Sequence, residues 1–200
     1  MRKTYNHKFN MFDLYDSTVR GLRAFPHLII NRITRRVDDE LIERLMLATT
    51  EVNGCELCSY AHTKMALKQG FSQEEIDALL SGSKAYVKEN EAIAIFFAQH
   101  YADTMAKPDK ESFEKLKQKY GKKEAMVMVR SIQVMMMANI QGVPISAFIA
   151  RLKGNTYDTS SLFYEIGMML FTLLVFPIGL LDALLRSILR IPIIRFNSTT

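Results

Sequence analysis

Two cysteines occur in this chain of 200 residues, three positions apart in Cys55-Glu56-Leu57-Cys58, and His62 follows four residues later. At about 100° per residue, these three side chains fall within about 60° of one helical face, so two sulfurs and an imidazole can share one small site. The preceding Asn53-Gly54 interrupts any helix running into the motif. Cys55 is thereby placed in the first turn of a new helix, where unsatisfied N–H groups and the positive dipole end favour a thiolate. His62 can accept a thiol proton directly or through one water, and Glu43 or Glu51 is the candidate to orient its ring. Spacing alone leaves three readings open: redox chemistry, half of a zinc site, or two packed thiols beside an interior histidine. Zinc has three ligands here and needs a carboxylate or water as the fourth.

The elements that must hold this motif read as helices throughout. Apolar residues recur at helical spacing and few period-2 alternations occur, so the class is all-α. Asp38 is an N-cap with Asp39 and Glu40 behind it, and Leu41, Leu45, Ala48 and Val52 form the inner stripe of the first motif helix. The second runs from about Cys55 to Gly70 as its C′ residue. Ser72 and Glu75 form a capping box opening a short helix to about Ser81. Longer helices are expected over 84–105, stopped by Pro108, then over 110–120 and 122–140 with Gly121 between them. Gly142-Val143-Pro144 is read as opening a further short helix that ends at Gly154.

From Leu162 the composition changes. Ile166 to Leu181 is sixteen residues without a charge, bounded by Glu165 and Asp182 and interrupted by Pro177. That is short for a membrane span, which needs about 20 apolar residues. Leu181, Leu184, Leu185, Ile188 and Leu189 then form an apolar stripe opposite Asp182, Arg186 and Arg190. The expected organisation is a helical domain over 1–155 and an apolar to amphipathic extension over 156–200. The extension is buried against the domain, is an oligomer contact, or associates with a membrane through 162–196.

Composition narrows the function classes. Apolar residues make up 48% and charged residues 24%, which describes a folded chain. The formal charge of +5 comes from basic residues interleaved with acids, as in the run from Lys110 to Lys123, so a nucleic-acid-binding stripe is not expected. The Met1 to His7 stretch is not followed by an apolar leader core, so a cytoplasmic protein is expected, with association to a membrane through its extension as the alternative. Met135, Met136 and Met137 read as packing, His100 as an interior histidine, His27 as part of a turn after Pro26, and Arg32, Arg35 and Arg36 as a solvated loop.

The string of Glu43, Cys55, Cys58 and His62, with the Ala48-to-His62 run around it, resembles the signature of AhpD-like alkylhydroperoxidases in the carboxymuconolactone decarboxylase superfamily. The likeness is strongest from Val37 to Gly70, looser over Asn139 to Pro144, and does not extend to the last forty residues. It implies an AhpD-like helical bundle with an appended C-terminal apolar segment. It further implies a thiol-dependent peroxidase or thiol-disulfide oxidoreductase of peroxiredoxin type. Cys58 would be the peroxidatic thiolate, Cys55 the resolving partner, and His62 with Glu43 the proton relay. No bound cofactor or metal is implied. The implied partners are a small hydroperoxide, an external dithiol or redox protein, and further copies of the chain in a trimer or hexamer. Leu57 stands where some members carry a histidine, which removes that relay. The decarboxylases of the superfamily work without this cysteine pair. The alternatives are an oligomeric or membrane-associated scaffold with non-catalytic thiols, and a carboxymuconolactone-decarboxylase-like enzyme.

Overall fold

A computed structural model of the chain describes residues 7–197. Met1 to Asn6, which open the stretch read for a leader, lie outside the described residues, as do 198–200. Eight helices and no strand are found among the described residues: α1 Met11–Thr34, α2 Asp39–Asn53, α3 Glu56–Lys68, α4 Gln73–Leu80, α5 Ala92–Asp103, α6 Lys110–Tyr120, α7 Lys122–Leu152 and α8 Leu162–Ile188. The all-α class is as expected.

The central helix is α7, packed by α1, α2, α3 and α8. The main core gathers Leu14, Leu45, Ile95, Tyr101, Met128 and Ile132 from α1, α2, α5 and α7. Met135 and Met136 are buried in it as packing residues. At Gly21 a Cβ would stand 2.6 Å from Cβ of Met137, so this glycine sets how closely α1 approaches α7.

Local signals fix most boundaries. The side chain of Asp38 accepts from the N–H of Glu40 at 3.2 Å, and Ser72 Oγ accepts from the N–H of Glu75 at 3.1 Å. The Glu75 carboxylate turns to buried Arg44 instead of closing the capping box. Arg44 also meets Glu91 at 3.2 Å and stacks 4.4 Å above the ring of Phe71. Gly70 and Gly121 hold φ of 93° and 89° at the expected breaks.

Three expectations are corrected. The stretch around Pro26 and His27 is not a turn but the interior of α1, because proline's fixed φ suits a helix and the buried stripe of Leu14, Thr18 and Ala24 holds α1 on the core. Arg32 consequently lies in the last turn of α1, and only Arg35 and Arg36 belong to the connection that follows. The 84–105 helix begins only at Ala92, because the preceding chain is drawn into turns. Glu91 reaches Arg44 there, and the Asn90 carbonyl accepts from the Tyr120 hydroxyl at 2.6 Å. No new helix starts at Gly142, since α7 runs unbroken through Gly142, Val143 and Pro144, all buried among its neighbours. There tertiary packing outweighs the single backbone hydrogen bond that Pro144 forfeits.

Helix α8 lies against α1 and α7. Its inner stripe is Glu165, Met168, Val175, Gly179 and Ala183. On its outer side Leu173, Leu181 and Ile188 are 72%, 69% and 77% exposed. Both α7 and α8 are long and apolar enough to cross a membrane by length and composition, but α7 is largely core and α8 is not.

Candidate functional site

The site is built where α2 ends and α3 begins. Gly54, at φ 70° and ψ 31°, caps α2 in the left-handed region and sends the chain into Cys55, the N-cap of α3. Cys55 Sγ accepts from the Cys58 N–H at 3.3 Å, so the first sulfur takes the role that serine or aspartate plays at other helix starts. The next N–H, that of Leu57, is donated to Ser146 Oγ at 3.1 Å, and Ser146 in turn donates to the Gly142 carbonyl at 2.8 Å. The first turn of α3 is thus satisfied partly by the cysteine and partly by α7.

Cys55 and Cys58 are joined as a disulfide, with Cα atoms 5.3 Å apart. Cys55 is fully buried and Cys58 is 8% exposed, so the second sulfur is the more open of the two. Cys58 Sγ lies 3.6 Å from the Ala138 carbonyl oxygen, an acceptor for its thiol in the reduced form. Against the pair lies Gly142. A Cβ there would stand 2.6 Å from Cys55 Sγ and 2.9 Å from Cys58 Sγ, so only glycine lets α7 pass this close to the sulfurs.

His62 lies within α3, beyond Cys58. Its Nδ1 is 2.6 Å from Oε1 of Glu43, which is buried in α2. Of the two carboxylates considered for this role, Glu43 fills it. Glu51 turns away to Gln99, whose Nε2 donates to it at 3.4 Å, and burial holds its carboxyl above the ordinary carboxylate range despite that hydrogen bond. A cleft of about 390 Å³ is walled by Ile42, Met46, Met65 and Met135 and takes in His62 and Arg32. The arrangement therefore offers a reversible two-electron couple at the sulfurs, with a carboxylate-held imidazole on the same helix.

All four residues expected from the sequence are brought to this corner. Two others, Gly142 and Ser146, were missed as site residues because they lie more than eighty positions away in α7. Their only signal was the Gly142-Val143-Pro144 stretch, which was read as a helix start. His100 stands apart, with Nε2 2.8 Å from Oδ2 of Asp109 at the start of α6, and is partly exposed rather than a core group. Among the described residues no group of three or more histidine, cysteine, aspartate or glutamate side chains is placed to hold a metal ion.

Residues 20–99 match the model of the Carboxymuconolactone decarboxylase family. Comparison with curated proteins and with solved structures gave no match. The matched segment spans most of α1 and all of α2, α3 and α4, and ends inside α5. Glu43, Cys55, Cys58 and His62 all lie within the segment that is similar to this family, on a chain whose described residues form helices and no strand.

Proposed function

We propose that this protein is a thiol-dependent peroxidase or thiol-disulfide oxidoreductase that cycles between the Cys55–Cys58 disulfide and the dithiol. The observation that carries this reading is a vicinal pair in disulfide contact, one cysteine fully buried and the other slightly exposed, on the same helix as an imidazole held at 2.6 Å by a buried carboxylate. In the peroxidase cycle Cys58, as thiolate, attacks the terminal oxygen of a hydroperoxide. The O–O bond breaks, Cys58 becomes a sulfenic acid, and the leaving alkoxide takes a proton to give the alcohol. The Cys55 thiol then attacks the Cys58 sulfur, forming the disulfide and releasing water. An external dithiol restores both thiols by exchange at the more open Cys58 and is itself oxidised to a disulfide.

His62 is assigned to proton transfer, with Nδ1 engaged by Glu43 and Nε2 free for the reacting groups. Two physical effects pull the cysteine roles apart. The helix N-terminus and the Cys58 N–H stabilise negative charge on Cys55, whereas exposure favours Cys58 as the sulfur a substrate meets first. We assign Cys58 as the attacking thiol, because a fully buried sulfur cannot meet an external oxygen in line without rearrangement. The Met46, Met65 and Met135 walls of the adjoining cleft suit an apolar hydroperoxide.

The test is a mass-spectrometric thiol count on reduced protein before and after stoichiometric hydroperoxide, with Cys58→Ser and Cys55→Ser in parallel. The expected result is loss of two thiols to an internal disulfide in the wild type, no reaction in Cys58→Ser, and a sulfenic or over-oxidised cysteine in Cys55→Ser. Thiols that survive peroxide but exchange with a small disulfide would restrict the activity to disulfide exchange. Thiols inert to both would remove the redox reading.

A further inference from the structure

We infer that the outer face of α8 is a seat for an anionic phospholipid surface, on which the helix lies in the plane of the membrane. The inference is independent of the thiol chemistry. Exposed apolar side chains on α8 include Phe163, Leu170, Leu173, Leu174, Leu181 and Ile188, and no charged residue lies between Glu165 and Asp182. At about 100° per residue the exposed apolar positions from Phe163 to Ile188 sweep roughly 200° of the helix circumference. A stripe for one partner helix is much narrower, about 100° wide. Two copies packed through α8 would each leave much of this convex ridge in water, whereas fluid lipid covers a ridge from every side.

The opposite face fixes the orientation. Glu165 is fully buried and accepts from Arg151 Nε and from Arg151 Nη2, each at 2.8 Å, and from Ser160 Oγ at 2.7 Å. Asp182 accepts from the Tyr15 hydroxyl at 2.7 Å and from Arg186 Nε at 2.9 Å. Arg23 Nη2 donates to the Ile191 carbonyl at 2.5 Å. These ties hold α8 along the helical body near both ends. Crossing a bilayer would break them and carry Asp182 and Arg186 toward the hydrocarbon. Lying in the interface keeps them and buries only the outer face.

Charge selects the kind of lipid. Both acids of the 162–196 stretch are engaged on the inner side, so its exposed charges are Arg190, just past the end of α8, and Arg195 farther along, half exposed with Nη1 3.7 Å from Oδ1 of Asp16 on α1. At the other end Lys8 is exposed and sits 5.2 Å above the ring of Tyr164. Cations flank the apolar ridge at both ends, an arrangement complementary to anionic headgroups.

The experiment is flotation of the full-length chain with sealed vesicles of phosphatidylcholine, with and without phosphatidylglycerol, beside a Leu174→Asp/Leu181→Asp variant and an Arg190→Gln/Arg195→Gln variant. Both leucines face outward, so their replacement leaves the packing of α8 on the body intact. Wild-type protein should float with the anionic vesicles. The aspartate variant should stay at the bottom of the gradient while keeping its wild-type helicity and thiol count. The glutamine variant should bind about tenfold more weakly. An epitope placed after Thr200 should remain open to antibody added outside the vesicles. Wild-type protein that ignores both vesicles and runs as a discrete oligomer, dissociated by the aspartate pair, would overturn the inference and assign the face to a second copy. An epitope shielded from outside antibody would overturn the in-plane seat in favour of a span.

Discussion

The α2–α3 corner and the outer face of α8 depart from the ordinary pattern of a globular domain in opposite directions. At the corner, groups that would be cheapest in water are inside: Glu43 is 5% exposed and the His62 ring is largely covered. Each is matched to a partner, as buried polar groups must be. On α8, side chains that would be cheapest inside are outside, with Leu173 and Ile188 more than 70% exposed, and no partner among the described residues covers them. The difference is instructive because the two departures have different remedies. A buried polar cluster is stabilised from within by hydrogen bonds, whereas an exposed apolar ridge is stabilised only by something that arrives from outside.

The largest expected effect tests the polar tether beneath that ridge. Glu165→Ala leaves Arg151 without its bidentate acceptor and opens a buried site, and should lower stability by about 3 kcal/mol in urea unfolding, allowing for the partial exposure of Arg151. A loss below about 1 kcal/mol would mean that α8 is held by apolar packing alone. At the corner, Gly142→Ala inserts a methyl group against both sulfurs. It should destabilise the oxidised protein by about 1–3 kcal/mol and shift the redox equilibrium toward the dithiol, measured by thermal melting and by equilibration with a dithiol buffer. An alanine variant as stable and as oxidisable as the parent would show that α7 can retreat from the pair.

Glu43→Gln keeps the shape of the corner and removes the charge behind His62. Peroxide-dependent thiol loss should slow about tenfold with little change in unfolding, followed by stopped-flow thiol titration. An unchanged rate would assign Glu43 to packing.

Acid should act on the tether before it acts on the apolar core. Burial opposes ionisation of Glu165, yet the hydrogen bonds from Arg151 and Ser160 prevail and hold its carboxyl below the ordinary range. A depressed carboxylate stabilises fully above its unfolded value, and that contribution is lost as pH falls through the folded value. The release of α8, followed by limited proteolysis of 156–161, should accordingly begin below the normal carboxylate range. Glu165→Gln should make release of the N-terminal end of α8 less sensitive to pH, while Asp182, whose carboxyl is also held below the ordinary range by Arg186 and Tyr15, keeps its own acid response at the other end. The smallest effect belongs to the ridge itself: Leu181→Ser in vesicle-free buffer should change stability by no more than about 0.5 kcal/mol, since the side chain is already 69% exposed. A large loss would reveal a second copy already seated on that face.

Much of the corner was legible before the fold was known, because its signals are local. Cys55, Cys58 and His62 share a face by helical spacing, Asn53-Gly54 supplies the break, and Asp38 and Ser72 announce their helices by capping chemistry that needs no distant partner. The resemblance carried by Glu43, Cys55, Cys58 and His62 fell within the segment that matches the family model. What was misread lies where distant contacts override local preference. The helix over 84–91 yields to the Arg44–Glu91 ion pair, the break at Gly142 yields to the packing of α7, and the turn at Pro26 yields to the buried stripe of α1.

By itself, then, the chain determined that this is an all-helical protein, where a dithiol and an imidazole meet on one helix, and that a long uncharged segment follows. Tertiary structure brought Glu43, as the resemblance implied, to His62 and turned Glu51 to Gln99, and it alone decided that Gly142 makes room for the sulfurs, that Cys55 is the more deeply buried of the two cysteines, and that the uncharged segment turns its leucines outward. The physical reason is common to all four. Periodicity and capping are properties of neighbours along the chain, whereas burial and hydrogen-bond partnership depend on which helices come to lie against one another, and that depends on the packing of the whole core.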